Sequence, residues 1–467
     1  MSPLWTSAEI AVATGGQASA DFECNGVAFD SREIGPGDLF FAMKGEQADG
    51  HRFVAQAFAS GASGAVVSSP VDGPHVLVPD TMRALEQLGI ASRARVTAKI
   101  IGVTGSAGKT GTKEALYAAL ERCNPGKAHR SVKSYNNHVG VPLSLSRMPR
   151  ETEYGVFEMG MNHAQEIAAL TRFVRSHIAI ITTIAPAHIE NLGSEEAIAD
   201  AKGEIFEGLE PDGTAIIPFD SRHYARLRAK AEQHAARIIS FGFNQGADVR
   251  CIDHLASANG GSLVTAQLPG AMLQYELSQP GDHWVSNSLA VLAAVQSAGA
   301  DLAVAGLALA DLGGLKGRGA RHRLQVAGGE ALLIDESYNA NPASMAATLT
   351  GLGNARAERR IAVLGAMKEL GDHGPAYHAA LIEPLQASGA DFAVLVGGEM
   401  QALADELGKG AVGALGKGIA FAHCDTAAEA LDALRAHGVE GGDAILVKGS
   451  NSVGLGTLVA ALAQQKD

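Results

Sequence analysis

Apolar residues are grouped along most of this chain into short runs that alternate with amphipathic segments. From residue 99 onward the apolar runs are KIIGVTG, YGVFEMG, HIAIITTIA, TAIIPFD and ARIISFG, and segments with helical spacing separate them. Apolar strands that alternate with helices are typical of a mostly parallel sheet covered by helices. The pattern therefore predicts an α/β domain over the central part of the chain.

The same alternation returns nearer the carboxyl terminus. After the glycine- and cation-rich stretch GGLKGRGARH come ALLIDESYN, RIAVLGAM, DFAVLVGG and DAILVKGS at strand–helix–strand spacing. The beginning of the chain carries only short strands and turns. We predict three domains: a small N-terminal α/β domain over residues 1–97, a central domain with a mostly parallel sheet over 98–315, and a C-terminal doubly wound, Rossmann-like domain over 316–467.

Composition agrees with a turn-rich α/β protein and argues against two classes of binding partner. Hydrophobic residues make up 46% of the 467 residues, with 56 glycines and only 5% aromatics. The net charge of −13 argues against nucleic acid or an anionic membrane surface as the main partner. The best apolar run, IAIITTIAPA, is about half of the ~20 residues that a membrane-spanning helix needs. An anionic substrate must therefore be bound by local clusters of Lys and Arg.

Cysteine spacing and the start of the chain both favour the cytoplasm. The four cysteines are Cys24, Cys123, Cys251 and Cys424. They are far apart and form no C-x-x-C pair, so they lack the spacing of a zinc site or of a redox-active pair. Unpaired cysteines are typical of a protein from a reducing compartment. The opening MSPLWTSAEIAVATGG lacks the features of a signal peptide, and Thr6 with Glu9 predicts a capping box at a short helix instead.

The segment IIGVTGSAGKTGTKEAL has the order strand, glycine-rich turn and helix. Such a turn points backbone N–H groups into a concavity at the positive end of a helix dipole, which suits a phosphate. Lys109 adds a mobile cation, and the Thr110 hydroxyl suits a magnesium ion. The usual spacing G-x-x-x-x-G-K-[ST] is not met, because Val103 stands at the first glycine position. The whole arrangement still predicts a nucleoside triphosphate site rather than an ordinary turn.

Two polar residues follow apolar strands of the central domain. Glu158 in YGVFEMGMNH is a candidate second ligand for the magnesium of the nucleotide. Asn162 is expected to cap the helix after it, with Gln165 at the third helical position. His188 in IAPAHIENLGS closes another apolar strand, and the residues leave open whether it contacts a metal or phosphate or only satisfies local hydrogen bonds.

Lys202 lies in SEEAIADAKGEIFEGLEP, which has the pattern of a helix. Its neighbours three and four positions away are apolar: Ile198, Ala199, Ile205 and Phe206. An inward-facing lysine favours its neutral amine, and a neutral amine can react with carbon dioxide to give a carbamate able to ligate a metal. The alternative is a lysine whose stem passes its apolar neighbours while its ammonium reaches water.

Polar residues also cluster in the C-terminal section. IDESYNANPASM places two acids, a tyrosine and two asparagines between a strand and a turn, a set suited to a ribose or a base. Arg318 and Arg321 in KGRGARH are candidates to reach a phosphate, with a solvated basic turn as the alternative.

Together these segments resemble the Mur ligase family of ATP-dependent amide ligases. The match runs nearly end to end, through LWTSAEIAVATGG, FDSREIGPGDLFFAMKGEQADGHRF, GVTGSAGKTGTKE, KSYNNHVGVPLSL, FEMGMNHAQEIAAL, AKGEIF, DESYNANPASM, AVLGAMKELG and VKGSNSVGL. The blocks SYNANP and LGAMKELG and the opening DSR…PGDLF are specific to the branch that joins D-alanyl-D-alanine to UDP-N-acetylmuramoyl-tripeptide. The phosphate loop of this family has the pattern T-G-x-x-G-K-T, which explains why Val103 and not a glycine stands at the usual first glycine position.

The resemblance implies a function for each domain and each motif. The N-terminal domain would hold the UDP end of the substrate, the central domain would bind ATP and Mg²⁺, and the C-terminal domain would close over adenosine and the dipeptide. The residues implied to bind ATP are Gly105, Ser106, Ala107, Gly108, Lys109, Thr110, Gly111, Asn287, Arg318, Asp335, Glu336, Tyr338 and Asn339. The implied metal ligands are Thr110, Glu158, His188 and a carbamylated Lys202; the catalytic residues are Lys109, Glu158, His188 and Lys202. The implied substrate contacts are Ser31, Arg32, Lys44, Asn136 and Asn137. We expect a cytoplasmic monomer.

Two departures from the family pattern leave a question open. The family usually writes G-K-T-T and D-D-S-Y-N, whereas Gly111 and Glu336 stand at the variable places here. Either Asp335 or Glu336 is therefore the candidate for the ribose contact. The competing functions are a related ligase of the Mur or folylpolyglutamate type that adds a single amino acid, and a nucleotide-binding protein without ligase activity.

Overall fold

The computed structural model describes residues 2–45, 48–257, 260–410 and 418–464. Its strands form sheets of five, nine and six strands in chain order, together with a two-stranded ribbon near the N-terminus. Each of the three larger sheets lies within one of the three predicted domains, whose residue limits stay a prediction.

The first sheet is small and mostly parallel. Its region contains the strands β1 (Trp5–Thr6), β2 (Gln17–Ala18), β3 (Glu23–Cys24), β4 (Gly26–Ala28), β5 (Asp38–Phe41), β6 (Gly64–Val67) and β7 (His75–Leu77), and the helices α1 (Ser7–Thr14), α2 (Val54–Ala59) and α3 (Thr81–Ala94). The order is β2-β7-β6-β5-β4, with β2 antiparallel to β7 and the others parallel. The predicted capping box of Thr6 and Glu9 is present at the start of α1.

The second sheet is the largest. Its strands are β8 (Lys99–Thr104), β9 (Ala128–Arg130), β10 (Tyr154–Glu158), β11 (Ser176–Ile181), β12 (Leu209–Pro218), β13 (Arg237–Gly242), β14 (Val249–Ala256), β15 (Ser262–Leu268) and β16 (Ala271–Leu277). Its helices are α4 (Lys109–Cys123), α5 (Gly140–Ser146), α6 (Glu166–Val174), α7 (Ile189–Leu192), α8 (Glu195–Gly203), α9 (Tyr224–Ala231), α10 (Asp282–Ala298) and α11 (Leu302–Ala310). The order is β16-β15-β14-β13-β12-β11-β8-β10-β9, antiparallel only from β14 to β16.

Helices cover both faces of this second sheet. Side chains of α4, α10 and α11 form one apolar cluster with one face, and those of α5, α6, α8 and α9 pack in the cluster on the other face. Strands that are buried on both faces read as continuous apolar runs. This explains why the central strands β8, β10 and β11 were predictable from the sequence.

The third sheet is doubly wound, as predicted. Its strands are β17 (Ala320–Val326), β18 (Gly329–Glu336), β19 (Arg359–Gly365), β20 (Phe392–Val396), β21 (Ala420–Cys424) and β22 (Asp443–Lys448). Its helices are α12 (Pro342–Gly353), α13 (Gly374–Ala379), α14 (Ile382–Ala387), α15 (Gln401–Gly408), α16 (Ala427–His437) and α17 (Leu455–Ala463). The order is β17-β18-β22-β19-β20-β21; α12, α14 and α15 pack on one face and α16 and α17 on the other.

One expected helix start is wrong. The helix after Glu158 begins at Glu166, with Gln165 and not Asn162 before its first turn. The carboxylate of Glu204, from a short 3₁₀ turn after α8, accepts hydrogen bonds from the backbone N–H groups of Gln165 at 2.7 Å and Ala168 at 3.1 Å. A distant side chain therefore satisfies the free donors of this helix, and residues 159–165 remain an irregular loop.

The second and third sheets share one apolar cluster. It continues from Phe157 and Met159 beside the second sheet to Ile334 and Met345 in the third region. The carboxyl ends of strands from both sheets are therefore held close together. Within the described ranges, no helix combines the length and the apolar character that crossing a bilayer requires.

Candidate active site

A cleft of about 770 Å³ lies where strands of the second and third sheets end. The residues that line it include Lys109, Glu158 and His188 from the central region and Glu336 and Lys448 from the C-terminal region. Ligands of open α/β sheets bind beyond the carboxyl ends of the strands. Polar residues at the strand ends of both sheets thus line one cavity.

The glycine-rich turn between β8 and α4 forms one wall of this cleft. Gly108 precedes the first turn of α4 with φ of +82°, a left-handed conformation that favours glycine. The ammonium of Lys109 donates a hydrogen bond to the Gly105 carbonyl at 2.6 Å. Burial lowers the pKa of Lys109, the charge of Arg318 lowers it further, and the Glu158 carboxylate opposes both effects. A phosphate would relieve this buried charge.

Asn287, one of the residues that the resemblance implies for ATP binding, lies against the glycine turn. It lies on α10 and lines the cleft. A Cβ atom at Gly108 would meet the Asn287 amide at 2.9 Å.

Glu158 is a buried carboxylate at the end of β10, only 1% exposed. It accepts hydrogen bonds from the Thr110 hydroxyl at 2.9 Å and from the Asn136 amide at 2.8 Å, and its backbone N–H donates to Ser131 Oγ at 3.1 Å. No ion pair with a described lysine, arginine or histidine is present at this carboxylate. Its oxygens and the Thr110 hydroxyl are the ligands that Mg²⁺ prefers, so these residues fit the ion.

The other two predicted metal ligands are not joined to this pair. His188 lines the cleft, but its Nδ1 forms an ion pair with Glu369, which lies after β19 in the C-terminal region. The hydrogen bond to His188 lowers the pKa of Glu369. In the described part of the chain, no group of three or more His, Cys, Asp or Glu side chains could hold a metal ion. A hydrogen bond thus joins Thr110 to Glu158, whereas no described hydrogen bond or ion pair joins His188 or Lys202 to either of them.

Lys202 is buried, as its apolar helical neighbours predicted. It lies near the end of α8 with 1% of its surface exposed. Burial lowers its pKa well below the usual value, and the charge of Lys109 acts in the same direction. Its ammonium makes no hydrogen bond or ion pair with any described residue. The 1% exposure favours the inward-facing lysine over one whose ammonium extends into water, and the carbamate stays a prediction.

The acids of β18 point to different places. Asp335 is 1% exposed and accepts hydrogen bonds from the backbone N–H of Gly317 at 2.7 Å and from the Ser337 hydroxyl at 2.6 Å. It does not line the cleft, whereas Glu336 does. The geometry favours Glu336 for a ligand contact and gives Asp335 the task of holding the loop that carries Arg318.

Aromatic and cationic side chains complete the C-terminal wall of the cleft. The guanidinium of Arg318 lies 4.2 Å from the ring centre of Tyr338, and both line the cleft together with Asn339. Lys448, at the end of β22, donates a hydrogen bond to the Asn339 carbonyl at 2.9 Å. Burial lowers the pKa of Lys448. Arg321 is exposed and does not line the cleft.

Four of the predicted substrate contacts lie outside this cleft. Ser31 and Arg32 are in a short 3₁₀ turn of the N-terminal region, where Arg32 forms an ion pair with Asp30 at 2.6 Å. The backbone of Lys44 forms an isolated antiparallel β-bridge with that of Asp49. Asn137 accepts a hydrogen bond from the backbone N–H of Gly140 at 2.9 Å, at the start of α5. The fifth, Asn136, lines the cleft.

Comparison with known families agrees with this architecture. Three family models match the chain in order: the Mur ligase family catalytic domain over residues 23–125, the Mur ligase middle domain over 103–295 and the Mur ligase glutamate ligase domain over 322–451. The chain belongs to the Mur ligase family. The cleft is formed by the middle and glutamate ligase domains of that family.

Similar Mur ligases match over nearly the whole chain. The UDP-N-acetylmuramoyl-tripeptide–D-alanyl-D-alanine ligase of Synechocystis sp. is 37% identical and covers 95% of this chain and 93% of its own length. A crystal structure of MurF from Acinetobacter baumannii has a TM-score of 0.83 at 32% identity and covers 99% of both chains. The MurF ligase of Thermotoga maritima, in complex with ADP, has a TM-score of 0.76 at 25% identity over 94% and 97% of the two chains. The predicted α/β class with three domains is confirmed.

Trp284 is a residue of this Mur ligase cleft that sequence reasoning missed. It lies on α10, lines the cleft and is 7% exposed. A Cβ atom at Gly111 would lie 2.8 Å from the edge of its ring. The indole therefore occupies the space that a side chain at position 111 would need. The unusual glycine of the phosphate loop was the available signal.

Asn341 also escaped prediction. Its side-chain carbonyl caps α12 by accepting a hydrogen bond from the backbone N–H of Ser344 at 2.9 Å, while its amide donates to the Ser106 carbonyl of the phosphate loop at 3.2 Å. The sequence signal was the Asn-Pro pair at a helix start, which indicates a cap but not the second contact.

Proposed function

We propose that this Mur ligase joins D-alanyl-D-alanine to UDP-N-acetylmuramoyl-tripeptide and converts ATP to ADP and phosphate in the same reaction. The observation that carries the proposal is the single cleft between the glycine turn of the central region and the polar strand ends of the C-terminal region. The full-length similarity to the Synechocystis ligase supports the choice of substrates. We further propose that the enzyme acts as a monomer in cytoplasmic synthesis of peptidoglycan precursors.

The reaction explains why a phosphate site and a closed cleft occur together. A carboxylate is a poor electrophile, so one of its oxygens first attacks the γ-phosphorus of ATP, which gives an acyl phosphate and ADP. The dipeptide amine then attacks the acyl carbon, and phosphate leaves from the tetrahedral intermediate as the amide forms. The amine loses its proton in this step. The cleft between two packed regions would protect the acyl phosphate from water.

Different residues of the cleft are proposed to bind the phosphates, the ribose and the adenine of ATP. Lys109, Arg318 and Lys448 are the cations that would bind and orient its phosphates. Glu336 is the proposed contact for the ribose hydroxyls, because it lines the cleft and Asp335 does not. Asn287 and the exposed face of Tyr338 suit the adenine base.

Glu158 and Thr110 would hold Mg²⁺, with His188 and a carbamylated Lys202 as further proposed ligands. When bound, the ion supplies positive charge to the transferring phosphoryl group. Asn136 holds one oxygen of Glu158, so the carboxylate keeps its orientation. The amine of Lys202 is buried and has no hydrogen-bond or ion-pair partner among the described residues, which supports its reaction with carbon dioxide, since burial favours the neutral amine.

The substrate end of the site is proposed to extend to the N-terminal region. Glu33 follows Ser31 and Arg32 directly, and it accepts a hydrogen bond from the Tyr135 hydroxyl at 3.1 Å. The loop that carries Asn136 is thereby joined to the segment expected to hold the UDP group. A long substrate would follow this path from the N-terminal region into the cleft.

An ADP-release assay tests the proposal. We expect ADP release to require UDP-N-acetylmuramoyl-tripeptide and to rise further with D-alanyl-D-alanine. A single amino acid in place of the dipeptide should not raise it, which separates the related ligases. Comparable ATP turnover without the nucleotide sugar would contradict the ligase function, and no turnover with any substrate would favour a binding protein.

A further inference from the structure

Lys113 is a fully buried lysine, 0% exposed, on the helix that follows the phosphate loop. It lies three residues after Thr110, so the two side chains are neighbours on one face of α4. It does not line the cleft. The proposed reaction gives it no direct role.

The ammonium of Lys113 has a partner for each of its three protons. It donates to the carbonyls of Ser131, at 3.1 Å, and Lys133, and it forms an ion pair with Glu114 at 2.9 Å. A buried lysine is costly unless its donors are satisfied, and here they are. Glu114 also pairs with Arg130 at 2.8 Å, so the carboxylate is itself held in place.

Both carbonyls belong to the loop that supports Glu158. Ser131 accepts the hydrogen bond of the Glu158 backbone N–H, and Asn136 donates to the Glu158 carboxylate. Lys133 has φ of +50°, which is unusual for a residue with a side chain. Such a conformation persists where the surroundings fix it, and Lys113 binds the carbonyl of that residue.

We propose that Lys113 is a positioning residue, which holds the loop of residues 131–136 so that Ser131 and Asn136 keep Glu158 in the orientation that binds Mg²⁺. The inference rests on the proposed ATP and Mg²⁺ site. It assigns the loop's position to a side chain that lies outside the cleft and touches neither substrate nor the reacting atoms. The contact of Lys109 with Gly105 and that of Gly108 with Asn287 involve no residue of this loop.

Calorimetric titration of ADP with and without Mg²⁺ tests the proposal. Lys113→Met should bind ADP without Mg²⁺ as the wild type does, because the phosphate loop is unchanged. The gain in ADP affinity on adding Mg²⁺ should fall by about 10- to 100-fold, the usual loss when support of a metal ligand is removed. Lys99→Met is the matched control, since Lys99 is exposed at the opposite end of β8.

Two further measurements separate positioning from general stability. Amide hydrogen exchange at residues 131–136 should rise in Lys113→Met, while exchange in the N-terminal sheet stays as in the wild type. Ser131→Ala removes only the acceptor of the Glu158 N–H and should show the same selective loss of the Mg²⁺ effect, which decides the matter if Lys113→Met does not fold.

The inference is overturned if either folded variant keeps the wild-type gain from Mg²⁺, or if ADP binding weakens equally with and without the ion. Its failure is distinct from failure of the proposed function. The calorimetry needs only ADP and Mg²⁺, whereas the proposed function depends on ADP release by the wild type in the presence of both substrates.

Discussion

Lys109 is a cation that the fold keeps largely out of water with one carbonyl as its hydrogen-bond partner. Lys109→Ala should lower the rate of ADP release by at least ~100-fold, the usual effect of removing a charge contact to the transition state. The midpoint of thermal unfolding should change little, because the side chain faces the cleft. Lys409→Ala is the control, since the ammonium of Lys409 forms an exposed ion pair with Glu406 and does not line the cleft. Near-normal turnover, or an unfolded variant, would mean that Lys109 has a structural role.

Lys202 permits a test of chemistry rather than of charge. Lys202→Arg should be nearly inactive although it keeps a positive charge, because a guanidinium stays protonated and forms no carbamate. Wild-type protein in ¹³C-bicarbonate should show a carbamate resonance that is absent from the variant.

The same experiment on Lys202→Met provides the control for packing. Methionine fills a similar apolar space without a reactive amine, so this variant should be stable, inactive and without the resonance. Normal turnover of Lys202→Arg, together with wild-type protein that lacks the resonance, would contradict the assignment.

The packing of α4 against α10 next to the phosphate loop depends on the lack of a side chain at Gly111. Gly111 lies inside α4, where alanine would ordinarily stabilise the helix by about 1 kcal/mol. Its Cβ would instead meet the buried ring of Trp284. Gly111→Ala should therefore lower stability by about 1–3 kcal/mol, as overpacking does. Thermal unfolding measures the change.

Gly351 gives the matched control for that substitution. It lies in α12 with no atom within 4 Å of an added Cβ. Gly351→Ala should leave the unfolding midpoint unchanged or raise it. Trp284→Leu should restore stability to Gly111→Ala if the ring is the obstacle, and a lasting deficit in the double variant would contradict this explanation.

At this scale the sequence predicted strands better than helix starts. The central strands are buried on both faces, so their apolar runs are unbroken, whereas β15 alternates buried and exposed residues and was not predicted. The start of α6 was misplaced because its cap comes from Glu204, far along the chain. Motifs located Lys109, Thr110 and Glu158, since their chemistry is local.

Contacts between distant segments were beyond such reasoning. Asn341 and Ser106 are 235 residues apart, and nothing local in either segment indicates their hydrogen bond. The same is true of Lys113 and the loop carbonyls that it binds. Local sequence patterns predict which helix, strand or turn a residue belongs to. Its hydrogen-bond partner in a distant segment depends instead on how the two sheets pack against each other.

At the scale of the whole molecule, cations from two regions line the cleft of an acidic protein. The chain has a net charge of −13, yet Lys109, Arg318 and Lys448 all line this cavity. Burial concentrates their positive potential where the protein as a whole would repel ATP. The C-terminal region supplies Arg318 and Lys448, so the proposed phosphate site needs contact between the two regions.

Asn341 offers a test of that contact, because one side chain both caps a helix and reaches the phosphate loop. Asn341→Ser should keep the cap, since serine is also a favoured first residue, but its short hydroxyl should not reach the Ser106 carbonyl. Loss of one hydrogen bond of ~1 kcal/mol should lower the equilibrium constant for contact between the two regions roughly 5-fold and raise the KM for ATP by up to that factor.

The unfolding midpoint of Asn341→Ser should match the wild type, whereas Asn341→Ala should lose both the cap and the contact. Thr426→Ala is the matched control, because Thr426 caps α16 through Glu429 and does not line the cleft. It should lower the midpoint and leave the KM for ATP unchanged. If Asn341→Ser has a wild-type KM, the Ser106 contact does not govern closure, and the shared apolar cluster alone holds the two regions together.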